Sequence, residues 1–414
     1  MKNKSLNLIC FGLIVSVFFL ASCDKPSYEL KEGIWRGALL TEAGIEIPFN
    51  FEVKDSLGHH YIDIVNGQSK LRVNDIRIEK DSVYIQLPFF DAELRGALLD
   101  GHVDGVYIKH LPDKEVSMAF SANYNVAWRI KEQVASPKYD ISGKWETYFI
   151  KDNGDSVKAI GDFKQEGSRV TGTFMTRTGD YRFLDGVLDG DKLSLSTFDG
   201  GFAMFFSALL TNDSTMVNGE QYSGFSSQRK FFAKKNDKVV LDDPYSLTYL
   251  KPGYKKIEFS FPDVNKQQVS LRDARFKDKV VVVQILGSWC PNCIDETAFL
   301  SQYYKKQNGD VEIVGLAYEA TKDFEKSKAN IQRIIDRFDV KYPILITGYT
   351  ANGDEPSQSL PMLNRVMAFP TTIIIDKKGE VRKIHTGFTG PGSGKYYEEF
   401  VMEFEKMISS LQQE

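Results

Sequence analysis

The chain has 414 residues, with 52 Lys and Arg against 56 Asp and Glu, a net charge of -4 and 42% hydrophobic residues. That balance leaves no basic footprint, so nucleic acid is not an expected partner. The length allows two or three domains that each bury a core, and only four cysteines in so long a chain rule out a disulfide framework.

Residues 1–22 read as an export signal: Lys2 and Lys4 at the start, an apolar run over 6–20, then Leu20-Ala21-Ser22 before Cys23. The run is too short and too N-terminal for an ordinary membrane span. Leu-Ala-Ser-Cys resembles a bacterial lipobox, which implies that Cys23 is acylated, becomes the mature N-terminus and anchors the protein to a membrane, facing the periplasm. More than one acyl chain makes such attachment stable. Cys10 lies in the same leader, so Cys290 and Cys293 are left as the thiols for redox work.

Residues 31–235 are almost wholly strand-like, short alternating segments separated by turn signals such as Asp100-Gly101, Asn153-Gly154 and Asp189-Gly190. The segment repeats itself. Gly33-Ile34-Trp35 returns as Gly143-Lys144-Trp145, an offset of 143 minus 33, or 110, and Asp81-Ser82-Val83 returns as Asp191-Lys192-Leu193. Two antiparallel β modules are therefore expected, 27–128 and 139–235, each of about eight strands in a small barrel or sandwich. The opening Gly-x-Trp resembles lipocalin-type barrels, and a tryptophan there reads as a core plug. His59 and His60 point to opposite sheet faces while His102 and His110 stand alone, so no nucleophile–base pair or metal cluster emerges. Residues 236–256, rich in charge, Pro and Gly, read as a linker.

From 257 to 414 strands and helices alternate. Strands are expected at 279–286, 311–317, 342–346, 371–375 and 380–385, and helices at 294–306, 321–338, 360–367 and 396–411. The order implies parallel strands joined by crossover helices plus a terminal hairpin, an α/β sandwich.

Trp289-Cys290-Pro291-Asn292-Cys293 stands between the first of these strands and the first helix. Cysteines at i and i+3 on a first helical turn lie within bonding range and can cycle between dithiol and disulfide. Cys290, beside the free N–H groups of the helix N-terminus, is favoured as thiolate and is the expected attacking sulfur; Cys293, one turn in, resolves the mixed disulfide. Pro291 suits the first helical position because it has no N–H to leave unpaired.

Strand, Trp-Cys-x-x-Cys, helix, and Phe369-Pro370-Thr371-Thr372 opening a later strand together resemble the thioredoxin fold. The strand–helix unit over 311–338 makes the resemblance strongest to the TlpA/ResA group of membrane-tethered thiol–disulfide oxidoreductases, over residues 257–411. The resemblance implies that Pro370 is a cis-proline facing the dithiol, with Phe369 beside it, that Trp289 shields one flank and that Asn292 sits within the redox loop. The chain also departs from the family. Many thioredoxins carry a buried Asp where this chain has Gln284, and Glu319 resembles a glutamate that some TlpA/ResA members place beside the dithiol; a surface glutamate is the competing reading. Zinc would need two further Cys or His ligands, and His385 is the one histidine of this region. Copper carriers and peroxiredoxins space or precede their cysteines differently.

The expected protein is multidomain, tandem all-β antiparallel modules followed by an α/β thioredoxin-like domain. Its expected function is lipid-anchored, extracytoplasmic thiol–disulfide exchange with client proteins, as a reductant. The Cys290–Cys293 disulfide is its only redox group, and a membrane electron donor feeds it. The alternative is a surface or periplasmic binding lipoprotein whose β repeat binds a ligand or partner and whose thioredoxin-like domain is a docking module.

Overall fold

The computed structural model describes residues 28–414. The readings of the leader and of Cys23 as a lipid anchor fall outside the described residues.

Alternation of apolar and polar residues builds the first module as an antiparallel sheet of nine strands, from Gly33–Leu40 to Glu115–Tyr124. Gly33–Leu40 pairs with Glu46–Ser56 on one side and with Glu115–Tyr124 on the other, so first and last strands meet as in an up-and-down barrel. The ring stays open between Ser69–Val73 and Asp75–Glu79. These two short strands, separated by Asn74, raise the count to nine where about eight were expected.

The second module closes. Gly143–Ile150 pairs with both Ser156–Glu166 and Ser227–Lys235, and Ser156–Glu166 pairs onward with Arg169–Thr176. Eight long strands thus form a ring, with the two-residue strand Gly179–Asp180 hanging from Arg169–Thr176. Its interior is filled by Trp145, Phe149, Phe163, Phe174, Phe206 and Phe231, a packed core rather than a ligand lumen. Trp35 and Trp145 occupy equivalent sites. Both are fully buried, and each indole Nε1 donates to the carbonyl four residues upstream, Lys31 at 2.9 Å and Ile141 at 2.7 Å. The sequence repeat is therefore a structural repeat.

The modules are joined through a shared seam. Phe198 of the second barrel packs on Phe49 of the first, ring centroids 4.4 Å apart. Arg129, between them in sequence, donates to Val65 O (2.8 Å), Asn66 Oδ1 (2.7 Å) and Ser196 Oγ (2.7 Å), so each nitrogen of the buried guanidinium has a partner.

The C-terminal domain is a five-stranded sheet in the order Ile344–Ile346, Val311–Ala317, Val280–Leu286, Thr371–Ile375, Val381–Thr386. The first three run parallel and the last two antiparallel. Val280–Leu286 is buried at every position, which its unbroken apolar run requires of a central strand covered on both faces. Four helices accompany the sheet: α1 (Pro291–Lys305), α2 (Phe324–Phe338), α3 (Glu355–Ser359) and α4 (Lys395–Gln413). This is a thioredoxin-like arrangement, with an additional hairpin of Ser260–Pro262 and Gln268–Ser270. α2 starts later than the expected residue 321 because the Asp323 side chain accepts from Glu325 N and Lys326 N and caps it there.

Two expectations need correction. The short helix lies at Glu355–Ser359, not 360–367. Past Pro361, backbone groups that a helix would use internally are taken by residues 249–251: Lys251 N donates to Met362 O at 2.8 Å and Asn364 N to Tyr249 O at 2.9 Å. The second concerns 236–256. It has no regular element, yet it is a strap tied to this domain rather than a free linker, with Thr386 N donating to Pro244 O (3.1 Å) and Val381 N to Lys255 O (2.8 Å).

Candidate active site

The buried strand Val280–Leu286 delivers the chain through Gly287-Ser288-Trp289 to α1. Cys290 is the N-cap of that helix in extended conformation, and its sulfur accepts from Cys293 N at 3.2 Å, with Pro291 at the first helical position. Both cysteines are free thiols; Cys290 is 5% exposed and Cys293 is 0% exposed. A buried sulfur and a marginally accessible one are thus presented from a single turn.

The flanks are aromatic. Trp289 Nε1 donates to Tyr318 O at 2.9 Å, and its ring lies edge-on to Phe369 at 5.2 Å. It folds over Gly287, where a Cβ would sit 2.3 Å from the indole nitrogen, so only glycine allows this approach. Phe369–Pro370 is a cis peptide, and the Cys290 thiol donates to Phe369 O at 3.4 Å. Asn292 turns outward and its amide donates to Phe388 O at 3.2 Å.

Beneath the sulfurs lies a closed polar network. Gln284, fully buried, donates from Nε2 to Glu296 Oε2 at 2.8 Å and accepts at Oε1 from Thr297 at 3.0 Å. Thr372 Oγ1 donates to Glu296 Oε1 at 2.6 Å. Burial pushes the Glu296 carboxyl up to about 7, against the lowering effect of these two donors. Burial, contact with Cys290 and the negative charge of Glu296 together push the Cys293 thiol well above the ordinary thiol range.

Glu296 was missed in the sequence. The one signal was helix phase, since i and i+3 share a helix face and Cys293 plus three is Glu296, and that alone does not separate a buried acid from a solvated one. The acid absent at Gln284 is thus supplied from the neighbouring helix, and the glutamine is one of its ligands. Glu319 is buried too, 2% exposed, but its partners are Ser288 N (2.8 Å) and Ser288 Oγ (2.5 Å), and burial raises its carboxyl. It braces the loop ahead of Trp289, while the carboxylate that influences Cys293 is Glu296.

The first barrel reaches this region as well. Phe89 stacks on Phe338 of α2 at 5.7 Å and Asp91 accepts from Arg333 at 3.2 Å. A cleft of about 270 Å³ remains between them, lined by Phe89, Phe90, Leu111, Trp289, Glu319 and Ile334 among others.

Residues 251–398 match the Redoxin family, a span that begins after both barrels. Together with the site, this gives the C-terminal part a thioredoxin-like domain similar to those of thiol–disulfide oxidoreductases. Among curated relatives, the thioredoxin-like protein YneN of Bacillus subtilis is 28% identical over 138 residues, 33% of this chain and 73% of YneN. The thiol–disulfide oxidoreductase ResA of Halalkalibacterium halodurans is 26% identical over 141 residues, 33% of this chain and 69% of ResA. Among solved structures, a DsbF homologue from Corynebacterium diphtheriae aligns over 38% of this chain and 92% of its own, at 19% identity and a TM-score of 0.30.

Proposed function

We propose that this protein is an extracytoplasmic thiol–disulfide oxidoreductase, anchored to a bacterial membrane through lipidated Cys23, that reduces disulfides of client proteins. The observation that carries the reading is the pairing of a marginally accessible Cys290 with a fully buried Cys293 on one helical turn, across from cis-Pro370.

The exchange follows from that geometry. Cys290, as thiolate, attacks one sulfur of a client disulfide; a mixed disulfide forms and the other client sulfur leaves as thiolate. Cys293 then gives up its proton and attacks Cys290, releasing the second client thiolate and leaving the Cys290–Cys293 disulfide. Two electrons have moved to the client. A thiol-bearing membrane donor restores the dithiol. Cys293 is disfavoured as a thiolate until it reacts, and Glu296, poised near neutrality one helical turn away, is the group placed to take its proton. Trp289 and Phe369 shield the pair from indiscriminate thiols.

The full chain should reduce insulin in the presence of dithiothreitol, and Cys290→Ala should abolish this. Cys293→Ala should accumulate mixed disulfides with client proteins through Cys290. Undiminished activity in Cys290→Ala, or capture through Cys293 alone, would sink the assignment.

A further inference from the structure

The second barrel does not merely stand beside the redox domain. Between its strands Arg169–Thr176 and Leu184–Asp189, the turn over 177–183 stays tied to the barrel through Gly179, Asp180 and Tyr181 and also closes on the N-terminus of α1. Backbone meets backbone there. Gly179 forms a β-bridge with Phe388, and a Cβ on Gly179 would lie 1.9 Å from the Asn292 amide nitrogen. A Cβ on Gly387 would lie 2.6 Å from the Thr178 carbonyl, so Gly387 cannot be replaced without opening the contact.

Asp180 fixes the segment from both sides, accepting from Arg182 N at 2.7 Å and from Gly390 N at 2.5 Å. Arg182 is thereby held with φ of 59°, and its guanidinium is aimed at α1. Nη1 donates to Pro291 O at 3.1 Å, and Nη2 donates to Asp295 Oδ1 at 2.8 Å. These two partners bracket Cys293 on the helix. Nε lies 3.5 Å from Asp199 Oδ2. The Arg182 side chain is 22% exposed, so its charge is poorly screened. Burial works against that charge; Asp295, Asp199, Asp180 and the Cys290 sulfur outweigh it and hold the guanidinium protonated. The Nη1 contact is with the carbonyl of Pro291, the residue after Cys290, so the cation stands at the dithiol turn.

We propose that Arg182 is a positioning residue through which the second barrel sets the reduction potential of the Cys290–Cys293 couple. It clamps the turn that carries both sulfurs and places a fixed positive charge at that turn, one residue along the backbone from Cys290. The couple is the disulfide plus two electrons and two protons giving the dithiol. A cation at the dithiol turn favours negative charge on the reduced pair and so raises the potential, while the Asp295 carboxylate opposes it. The barrel supplies no sulfur, and nothing in the dithiol motif itself announces the dependence. The inference rests on the oxidoreductase reading above.

The test equilibrates the full chain with reduced and oxidised glutathione at pH 7, two molecules of thiol giving one disulfide, and reads the oxidised fraction by alkylation and mass. Arg182→Met should shift the equilibrium toward the disulfide by about tenfold, or about 30 mV lower in potential. Arg182→Lys, which keeps the charge but not the fork, should shift it less. Asp295→Asn should move the potential in the opposite direction, to a higher value. Simple loosening of the contact would move both variants the same way. If Arg182→Met does not fold, opposite shifts of Arg182→Lys and Asp295→Asn carry the comparison. An unchanged potential in the Arg182 variants, or shifts of one sign for Arg182 and Asp295, would overturn the inference while leaving the oxidoreductase reading intact. Absence of any reversible couple in the unmodified chain would overturn both.

Discussion

Cys293 is fully buried, and Glu296 is the buried acid on its helix face, placed to take its proton. With the carboxyl pushed up to about 7, Glu296→Gln should slow release of the mixed disulfide and remove an inflection near pH 7 from its pH profile, read by stopped-flow fluorescence of Trp289. The same group marks stability. Its native carboxyl holds a proton between about 4.5 and 7 where the unfolded one does not, so stability falls as pH rises through that window. The loss is at most about 3 kcal/mol. Urea unfolding at pH 5 and pH 8 should show a smaller difference in Glu296→Gln than in the parent chain; an equal difference would contradict the assignment. At this scale the sequence was legible where chemistry is announced by spacing, as in Cys290 and Cys293, while the reading of Pro370 came from the resemblance. It was not legible at Glu296, because Asp295-Glu296 after a CxxC fits a solvated first turn equally well. Only helix phase sends Glu296 inward, toward Gln284, and Asp295 sideways, toward Arg182.

Elements were legible where apolar period and length agreed. The run Val280–Leu286 and the spacing of Ile331 and Ile334 in α2 each allow one solution, a central strand and a helix with one buried stripe. The strap was hidden for the converse reason: its composition is that of a linker, and its ordering comes from partners more than 100 residues away. It covers part of the edge strand Val381–Thr386, whose outer backbone groups would otherwise be open. Four backbone bonds tie it down, each worth about 1 kcal/mol net and partly offset by the cost of ordering the strap. A fragment 236–414 should therefore be more stable than a fragment 257–414 by about 2 kcal/mol in urea unfolding. Equal stability would mean that the strap is only lying on the domain.

At the scale of the molecule, three units that the sequence separates pack against one another, each lending a few residues to a neighbour. Phe198 enters the first barrel, Phe89 and Phe90 of that barrel enter the core around α1 and α2, and Arg182 of the second barrel reaches the dithiol turn. The repeat was legible because Trp35 and Trp145 must each plug a barrel and bond a carbonyl four residues back. The docking was not, since Gly179, Asp180 and Arg182 read as an ordinary turn until their partners at 388–390 and 291–295 are placed. The proposed reading of this assembly as a reductant is decided by one number. The reduction potential of Cys290–Cys293 in the full chain, measured against glutathione at pH 7, is predicted to lie in the reducing range near the about −270 mV of thioredoxin. A value near the about −120 mV of strongly oxidising DsbA would contradict the central claim.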